Sequence, residues 1–219
     1  MQAVLFDFNG TLFDDTRFHL RAWQKYMREK FDVELTLDEV RRDFIGPNNS
    51  QIFHSYFGDR FSDAQIRVFS REKEAEYRAV ARAEGALALM EGAPELFDLL
   101  TAKGIPFALA TASELDNVEF YLEELGLKKW FTMDRIVYDQ GLLPSKPDPA
   151  FYLEAARRLK LRAEDCVVAE DSPSGIHAAA NAHAGRIIAI DRTAPREWLE
   201  SNSAIYAIVH DFWGFERFI

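Results

Sequence analysis

The sequence has a single cysteine, Cys166, and fewer basic than acidic residues. One cysteine excludes an internal disulfide and is typical of a protein from a reducing cytoplasm, which is the location we expect. The neighbours of Cys166 in the stretch CVVAE are apolar, so we expect a buried, unreactive thiol and not a nucleophile. The net charge of −10 argues against a nucleic-acid or anionic-membrane surface, because both need clustered Lys and Arg.

Long apolar runs are also missing: no stretch reaches the roughly 18 apolar residues of a membrane span. The N-terminus has neither a basic head nor a cleavage site, so we expect no signal peptide. Hydrophobic side chains are nevertheless abundant, at 48% of the total, which excludes a disordered chain. With 219 residues the chain can bury a substantial core, as one large domain or as a main domain with an insertion. We expect a monomer.

Short apolar runs alternate with longer amphipathic ones, which is the pattern of parallel strands joined by crossover helices. Two helices carry clear end signals. Pro94 stands in the first turn of APELFDLLTAK with Gly104 just past its end, and DNVEFYLEELG closes on Gly126. The predicted strands are AVLFDF, IPFALAT, RIVY, CVVAE, RIIAI and AIYAIV.

The interval from Asp14 to Leu87 breaks this alternation. Its clearest segments, FHLRAWQKYMREKF and SDAQIRVFSREKEAEYRAVARAE, have helical periodicity, and we find no strand pattern between them. The sequence therefore predicts a helical domain over residues 14–87, inserted into an α/β core formed by residues 1–13 and 88–219.

Polar residues follow four of the predicted strands or the loops after them. In an open parallel sheet, ligands bind beyond the carboxyl ends of the strands, so these residues are the candidates for a site. The four groups are Asp7, Asn9, Gly10 and Thr11; Thr111, Ala112 and Ser113; Lys146; and Glu170 with Asp171.

Together these residues predict a phosphate site. Asp7 can act as a nucleophile, and the carboxylates of Asp7 and Asp171 with a backbone carbonyl offer the hard oxygen ligands that Mg²⁺ takes. Ser113, at the start of a predicted helix, can donate to phosphoryl oxygens together with backbone N–H groups. Lys146 would add a stabilising charge.

Each residue alone also has an ordinary structural interpretation. Asp7 can be a turn residue, Lys146 a solvated loop lysine, and Thr111 and Ser113 helix caps. The adjacent acids Glu170 and Asp171 are harder to explain in this way, because they repel each other at the end of an apolar strand unless a cation lies near.

Four stretches give the chain a resemblance to a known family. They are FDFNGTLFD, ATAS, SKPDPAFY and AEDSPSGIHAA, and the similarity extends through HLRAW and EGAPELFDLL. The chain resembles the haloacid dehalogenase superfamily of aspartyl-phosphate hydrolases, in the subgroup that contains β-phosphoglucomutase. The resemblance runs nearly end to end, and it implies a Rossmann-like core with a mobile four-helix cap that closes over a small phosphorylated metabolite.

The resemblance also implies roles for individual residues. Asp7 would be the nucleophile, and Asn9 would give its backbone carbonyl to Mg²⁺. Asp171 would bind the metal directly, with Glu170 behind a water. Ser113 and Lys146 would hold phosphate, with Thr111 and Ala112 in the same phosphate-binding segment.

In the predicted cap, His19 and Lys73 match positions that relay closure and contact substrate in the sugar phosphomutase. A capped helix residue and a surface charge are the alternatives for these two. Trp23 is predicted to be cap core. The hinge of the cap would lie near Asp15 and Gly85.

Two departures from the family pattern stand out. Asn9 replaces an acid that serves as general acid and base, and Asn49 replaces an arginine that clamps phosphate in the mutase. Glu170 and Asp171 argue against the metal-free dehalogenases. The absence of a lysine in the loop after Gly46 argues against the phosphonate hydrolases, which need one for a Schiff base.

The residues and the resemblance together predict a Mg²⁺-dependent phosphatase of small phosphorylated metabolites that forms an aspartyl phosphate on Asp7 and is slowed by Asn9. The resemblance alone implies sugar phosphates as the substrate class. A sugar phosphomutase is the first alternative. A binding module, which holds phosphorylated metabolites without turning them over, is the second.

Overall fold

The structure is a computed structural model that describes residues 1–44, 48–85 and 87–219. The chain forms two compact units. One unit combines Met1–Asp14 with Ala88–Ile219, and the other is Asp15–Leu87. The unit Asp15–Leu87 is therefore an insertion in the chain, between the first two strands of the other unit.

The larger unit contains a six-stranded parallel sheet in the order β3-β2-β1-β4-β5-β6. Strand β1 lies in its interior, with Val4 paired to Phe107 on one side and to Val167 on the other. All six predicted strands are confirmed. They are β1 (Ala3–Phe6), β2 (Phe107–Glu114), β3 (Ile136–Asp139), β4 (Cys166–Glu170), β5 (Arg186–Ile190) and β6 (Ala207–Val209).

The described residues of the inserted unit form four α-helices and a short 3₁₀ helix joined by loops, without a strand. Its later helices begin at capping boxes, in which the side chain of each of two residues bonds to the backbone N–H of the other. Ser62 and Gln65 form the capping box of the longest helix. Trp23 packs edge-on against Phe44 and Phe53 in the apolar core of this unit. The helices are α1 (Thr16–Phe31), α2 (Leu37–Asp43), α3 (Asn49–Phe57) and α4 (Asp63–Glu84).

Five further helices connect the strands of the sheet within the larger unit. The proline signal is confirmed, since Pro94 lies in the first turn of its helix, and Gly126 adopts a left-handed conformation just beyond the next one. These helices are α5 (Ala93–Ala102), α6 (Leu115–Glu124), α7 (Ala150–Arg158), α8 (Pro173–Asn181) and α9 (Arg196–Ser201). Short 3₁₀ helices cover Gly58–Arg60, Leu127–Lys129, Met133–Arg135, Ala163–Asp165 and Phe215–Phe218.

Strands β1 and β4 are buried along their whole length, which explains their continuous apolar sequences. Phe6 packs edge-on against Phe97 and Phe107, and such aromatic pairs add to the stability gained by burial. Cys166 is fully buried on β4, where burial raises the pKa of its thiol to about 11. The unreactive thiol expected from the sequence fits these surroundings. Among the described residues, no helix has the length and apolar character of a membrane span.

Candidate active site

A tight turn after β1 presents Asp7 at the carboxyl edge of the sheet. The carbonyl of Phe8 accepts from the N–H groups of Thr11, Leu12 and Phe13, and this bonding curls the chain directly after the strand. Asp7 is only 7% exposed. The local sequence thus places a carboxylate in a buried position where neighbouring strands also end.

Lys146 joins two of the predicted acids. Its ammonium group donates to Asp7 Oδ1 at 2.6 Å and to Glu170 Oε1 at 2.8 Å. It also donates to the hydroxyl of Tyr152 at 3.1 Å. The Lys146 side chain is 8% exposed, so its interpretation as a solvated loop lysine is wrong.

Glu170 and Asp171 are held by different parts of the larger unit. Glu170 Oε2 accepts from the backbone N–H and the hydroxyl of Ser172, at the start of α8. Asp171 Oδ1 accepts from the Thr11 hydroxyl at 2.9 Å. The turn after β1 and the end of β4 are therefore tied together by a buried hydrogen bond.

The acids form a cluster with excess negative charge. Carboxylate oxygens of Asp7, Glu170 and Asp171 lie within 4.8 Å of one another, and all three residues are buried. Burial and the neighbouring carboxylates of Glu170 and Asp7 raise the pKa of Asp171 well above its ordinary value. Burial also raises the pKa of Asp7, to about 7, although Lys146 opposes this.

These observations test whether the cluster fits a metal ion. Burial would lower the pKa of Lys146, but Asp7 and Glu170 outweigh it and keep the ammonium charged. Three carboxylates against one ammonium leave two negative charges when all are ionised, which a divalent cation would balance. The donors are all hard oxygens, as oxygen-seeking divalent cations require. The acidic cluster therefore fits a metal ion.

Two glycines leave room for these carboxylates. A Cβ added at Gly10, whose φ is +78°, would lie 2.2 Å from Asp171 Oδ2. A Cβ at Gly175 would overlap the carboxylate of Glu170. No larger residue fits at either position without displacing an acid of the cluster.

Asn9 faces the phosphate-binding segment predicted on β2. Its Oδ1 accepts from Ser113 Oγ at 2.9 Å and from Thr111 Oγ1 at 3.3 Å, while its Nδ2 donates to the Tyr121 hydroxyl at 2.8 Å. Ser113 lies within β2, one residue before the N-cap Glu114 of α6, so the expectation that Ser113 starts the helix is wrong. Ala112 lies between the two hydroxyl residues, and its side chain is exposed.

His19 and Lys73 belong to the helical unit, where they contact each other. Lys73 Nζ lies 2.8 Å from His19 Nδ1 and donates to Glu74 at 2.8 Å. Lys73 is 1% exposed, so its interpretation as a surface charge is wrong. His19 stacks on Tyr77, whose hydroxyl donates to Asp15. Asn49 also donates to Glu74. The argument from a missing lysine after Gly46 concerns a segment that includes Gly46 and Pro47, which lie outside the described residues.

Reasoning from the sequence missed three residues of these groups. Tyr121 and Tyr152 carry hydroxyls that contact Asn9 and Lys146, and Glu74 accepts from Lys73. Tyr152 lies within the quoted stretch SKPDPAFY and could have been considered there. Tyr121 and Glu74 lie on helices with mixed sequences, and no motif distinguishes them from other helical positions.

The site is a buried acidic cluster at the carboxyl edge of a parallel sheet, with a lysine between two of the acids, which is where α/β enzymes bind their ligands. The model of the haloacid dehalogenase-like hydrolase family matches residues 1–183. The chain therefore belongs to the haloacid dehalogenase-like hydrolase family. The recognition and the fold class predicted from the sequence are both confirmed.

Curated relatives include phosphatases and mutases. The chain is 30% identical over 190 residues to the phosphorylated carbohydrates phosphatase of Thermotoga maritima, covering 87% of this chain and 85% of the relative. It is 28% identical over 183 residues to β-phosphoglucomutase of Bacillus subtilis, covering 81% and 78% of the two chains. A hydrolase of family IA, variant 3, from Entamoeba histolytica has a similar solved structure, with a TM-score of 0.90, 33% identity and coverage of 98% and 95%.

Proposed function

We propose that the protein is a Mg²⁺-dependent phosphatase of small phosphorylated metabolites, with sugar phosphates as the substrate class. The observation that carries this proposal is the buried Asp7 carboxylate in contact with Lys146, within a cluster that fits a divalent cation. The names of the two curated relatives support phosphorylated sugars as substrates. We further propose that the unit containing the sheet is catalytic and that the helical unit is its cap. Cytoplasmic location and a monomeric state stay predictions.

Asp7 is the proposed nucleophile. A carboxylate oxygen of Asp7 attacks the phosphorus of the substrate, the bond to the ester oxygen breaks, and the alcohol leaves with a proton taken from water. Water then attacks the phosphoryl aspartate, which releases inorganic phosphate and restores the Asp7 carboxylate. The ionised carboxylate of Asp7 can attack directly, without a base to remove a proton from it.

The side chains of Asp7 and Asp171 and the backbone carbonyl of Asn9 are the proposed ligands of Mg²⁺, with Glu170 close by. When bound, Mg²⁺ offsets the repulsion among the acids and polarises the phosphoryl group. Lys146 is held between Asp7 and Glu170, where its charge can stabilise the transferring group. The segment Thr111, Ala112 and Ser113 is proposed to hold phosphoryl oxygens through hydroxyl and backbone donors.

Asn9 limits the rate in this proposal. An amide neither takes a proton from an incoming hydroxyl nor gives one to a leaving alkoxide, and a placed acid or base contributes about 10² to 10⁴ in rate. Alkyl phosphates should therefore be poor substrates. Activated esters such as p-nitrophenyl phosphate, whose leaving group needs no proton, should react much better relative to their intrinsic reactivity.

A sugar phosphomutase is the alternative that the likeness to β-phosphoglucomutase favours. Within the helical unit, Asn49 donates to Glu74 at 2.8 Å, and Lys73 with His19 outweighs burial to lower the pKa of Glu74 to about 2. Where the mutase has a phosphate-clamping arginine, this chain thus has an amide bonded to an ionised carboxylate. A second phosphate is disfavoured there. We propose that His19, whose side chain is 21% exposed, contacts a neutral part of the substrate, with the buried Lys73 behind it.

The test is turnover of p-nitrophenyl phosphate and a panel of sugar phosphates with Mg²⁺, in the parent and in Asp7→Asn. Turnover in Asp7→Asn should fall to background, because the amide is a poor nucleophile of similar volume. Asp59→Asn is the matched control, since it makes the same change at an exposed acid away from the predicted hinge, and it should leave turnover unchanged.

Asp7→Asn turnover within a few-fold of the parent would contradict an aspartyl phosphate. Thermal-shift titration with the same sugar phosphates separates the remaining alternative. Stabilisation of the parent by a sugar phosphate without any turnover would identify a binding module.

A further inference from the structure

Asn9, Ser113 and Tyr121 contact one another through polar atoms, and we call these three residues the Asn9 triad. Thr111 Oγ1 also donates to Asn9 Oδ1, at the longer distance of 3.3 Å. Asn9 Nδ2 donates to the Tyr121 hydroxyl at 2.8 Å, and Ser113 Oγ donates to Asn9 Oδ1 at 2.9 Å. The Ser113 and Tyr121 hydroxyls are 3.4 Å apart. The two ends of the amide therefore have chemically matched partners, with hydroxyl donors at the oxygen and a hydroxyl acceptor at the nitrogen.

Tyr121 is rigidly placed for this contact. It lies on α6 and is 2% exposed, and its ring stacks on Phe8 with centroids 4.3 Å apart. The edge of Phe13 packs against the same ring. Because two residues of the turn after β1 hold the ring, its hydroxyl has little freedom to move away from Asn9.

Within the triad, the Ser113 hydroxyl donates to Asn9, whereas the proposed function needs it to donate to phosphate. A hydroxyl has only one hydrogen to donate, and that of Ser113 is directed at Asn9 Oδ1. A phosphoryl oxygen accepts hydrogen bonds and cannot supply the missing hydrogen. For Ser113 to donate to phosphate, its bond to Asn9 must break.

We propose that Tyr121 is a positioning residue that holds Asn9 on Ser113, so that the Asn9 amide competes with substrate phosphate for the Ser113 hydroxyl. This inference rests on the proposed function, in which Ser113 binds the phosphoryl group. Tyr121 lowers phosphate affinity in this account without contacting phosphate. Its hydroxyl accepts the hydrogen bond that holds the Asn9 side chain in place.

Tyr121→Phe tests this inference, since it keeps the buried ring and removes only the hydroxyl. The Asn9 amide then loses its bond to the Tyr121 hydroxyl, and we expect the bond to Ser113 to weaken. One hydrogen bond corresponds to roughly a two- to tenfold change in affinity. Calorimetric titration with inorganic phosphate at saturating Mg²⁺ should therefore give a Kd two- to tenfold lower than in the parent. Tyr206→Phe, at a tyrosine that is 60% exposed, is the matched control and should leave the Kd unchanged.

Asn9→Ala separates positioning from a general effect on packing. It should tighten phosphate binding by itself, and adding Tyr121→Phe in that background should have no further effect. A general loosening of α6 would weaken phosphate binding instead of tightening it. An unchanged or weaker Kd in Tyr121→Phe overturns the inference, as does equal tightening with and without Asn9. If Tyr121→Phe does not fold, Asn9→Ala alone tests the inference. A phosphate Kd in Asn9→Ala that is not lower than in the parent then overturns it.

Failure of the proposed function has a different signature. In that case Asp7→Asn retains the turnover of the parent, or phosphate does not bind to any variant. If Asp7→Asn is inactive and phosphate binds the parent, an unchanged Kd in Tyr121→Phe counts against the role of Tyr121 alone.

Discussion

Asn9 is the residue at which the proposed chemistry of this chain departs from the family pattern. Its amide is bonded to Ser113 and Thr111 through oxygen and to Tyr121 through nitrogen. A carboxylate could accept from all three hydroxyls, because each of them can act as a donor. The surroundings of position 9 therefore accommodate either side chain, whereas only the acid can transfer a proton.

Asn9→Asp should raise the turnover of alkyl phosphates by roughly a hundredfold or more, on the usual contribution of a placed general acid or base. The gain with p-nitrophenyl phosphate should be much smaller, because that leaving group departs without a proton. Steady-state kinetics with a hexose phosphate and with p-nitrophenyl phosphate measure both.

Asn202→Asp is the matched control for this prediction, and it should leave both rates unchanged. Because Asn9 precedes Gly10, the amide can deamidate when the backbone is flexible, and peptide mass spectrometry must first show an intact Asn9. Equal alkyl-phosphate turnover in the unmodified parent and in Asn9→Asp would mean that another group supplies the proton.

At the scale of elements, the turn after β1 connects backbone shape to metal binding. Gly10→Ala should weaken Mg²⁺ binding at least tenfold, because the new Cβ would lie 2.2 Å from Asp171 Oδ2 and displace that carboxylate. Gly126→Ala separates this contact from backbone strain. Gly126 also has a positive φ, of +64°, but an added Cβ there meets no atom within 4 Å.

Both glycine variants should lose about 1 kcal/mol or more of stability from the left-handed backbone. Only Gly10→Ala should also lose affinity in a calorimetric titration with Mg²⁺. The same affinity in both variants would contradict the proposed coupling of Gly10 to metal binding through Asp171.

Helix α4 of the inserted unit carries a charged pair, the buried Lys73 and the largely buried Glu74, and Lys73 contacts His19 on α1. Burial alone would raise the pKa of Glu74, but Lys73 and His19 outweigh it and lower the pKa to about 2. Since this pKa is below the ordinary value of 4.5, the ionised carboxylate stabilises the fold above about pH 4.5. That contribution is lost as the pH falls from 4.5 towards 2.

Glu74→Gln should therefore destabilise the helical unit at pH 6, by on the order of 3 kcal/mol at about 1.4 kcal/mol per pKa unit. The difference from the parent should shrink as the pH is lowered through 4 to 3. Hydrogen exchange of peptides from α1 and α4 measures this difference in stability. Glu29→Gln, at an exposed acid of α1, should show no such trend. A difference that is constant from pH 6 to pH 3 would show that folding does not lower the pKa of Glu74.

For the whole molecule, the acidic cluster predicts that stability depends on the metal. A ligand at a hundred times its Kd stabilises the folded state by about 2.7 kcal/mol, which corresponds to a rise in Tm of roughly 5 to 10 °C for a chain of this size. Mg²⁺ should therefore raise the Tm of the parent, and a chelator should reverse the effect.

Asp171→Ala should shift this response to higher Mg²⁺ concentrations without abolishing it, because the other ligands remain. Asp14→Ala, at an exposed acid, should respond like the parent. If the Tm of the parent does not depend on Mg²⁺, or if Asp171→Ala responds at the same concentrations, the assignment of the metal site fails.

The sequence alone determined the order of strands and helices and most of the residues at the edge of the sheet. Buried parallel strands must be apolar along their length, so AVLF and CVVAE identify themselves as strands, and polar residues directly after them must lie at one edge. This reasoning placed Asp7 and Asp171 correctly without reference to any contact. In the same way, helical periodicity identified α1 and α4.

Only the tertiary structure decided which side chains meet. Tyr121 is 112 positions from Asn9, and its bond to Asn9 depends on how α6 packs beside the turn after β1. From the sequence, Lys73 is expected to be a surface charge on a helix of apolar and charged residues. In the structure it is 1% exposed, because Trp23 and His19 of α1 cover it. Local sequence fixes backbone conformation and the alternation of apolar and polar residues, because those depend on near neighbours. Burial and hydrogen-bond partners depend on residues far apart in the chain, which come together only when the chain is folded.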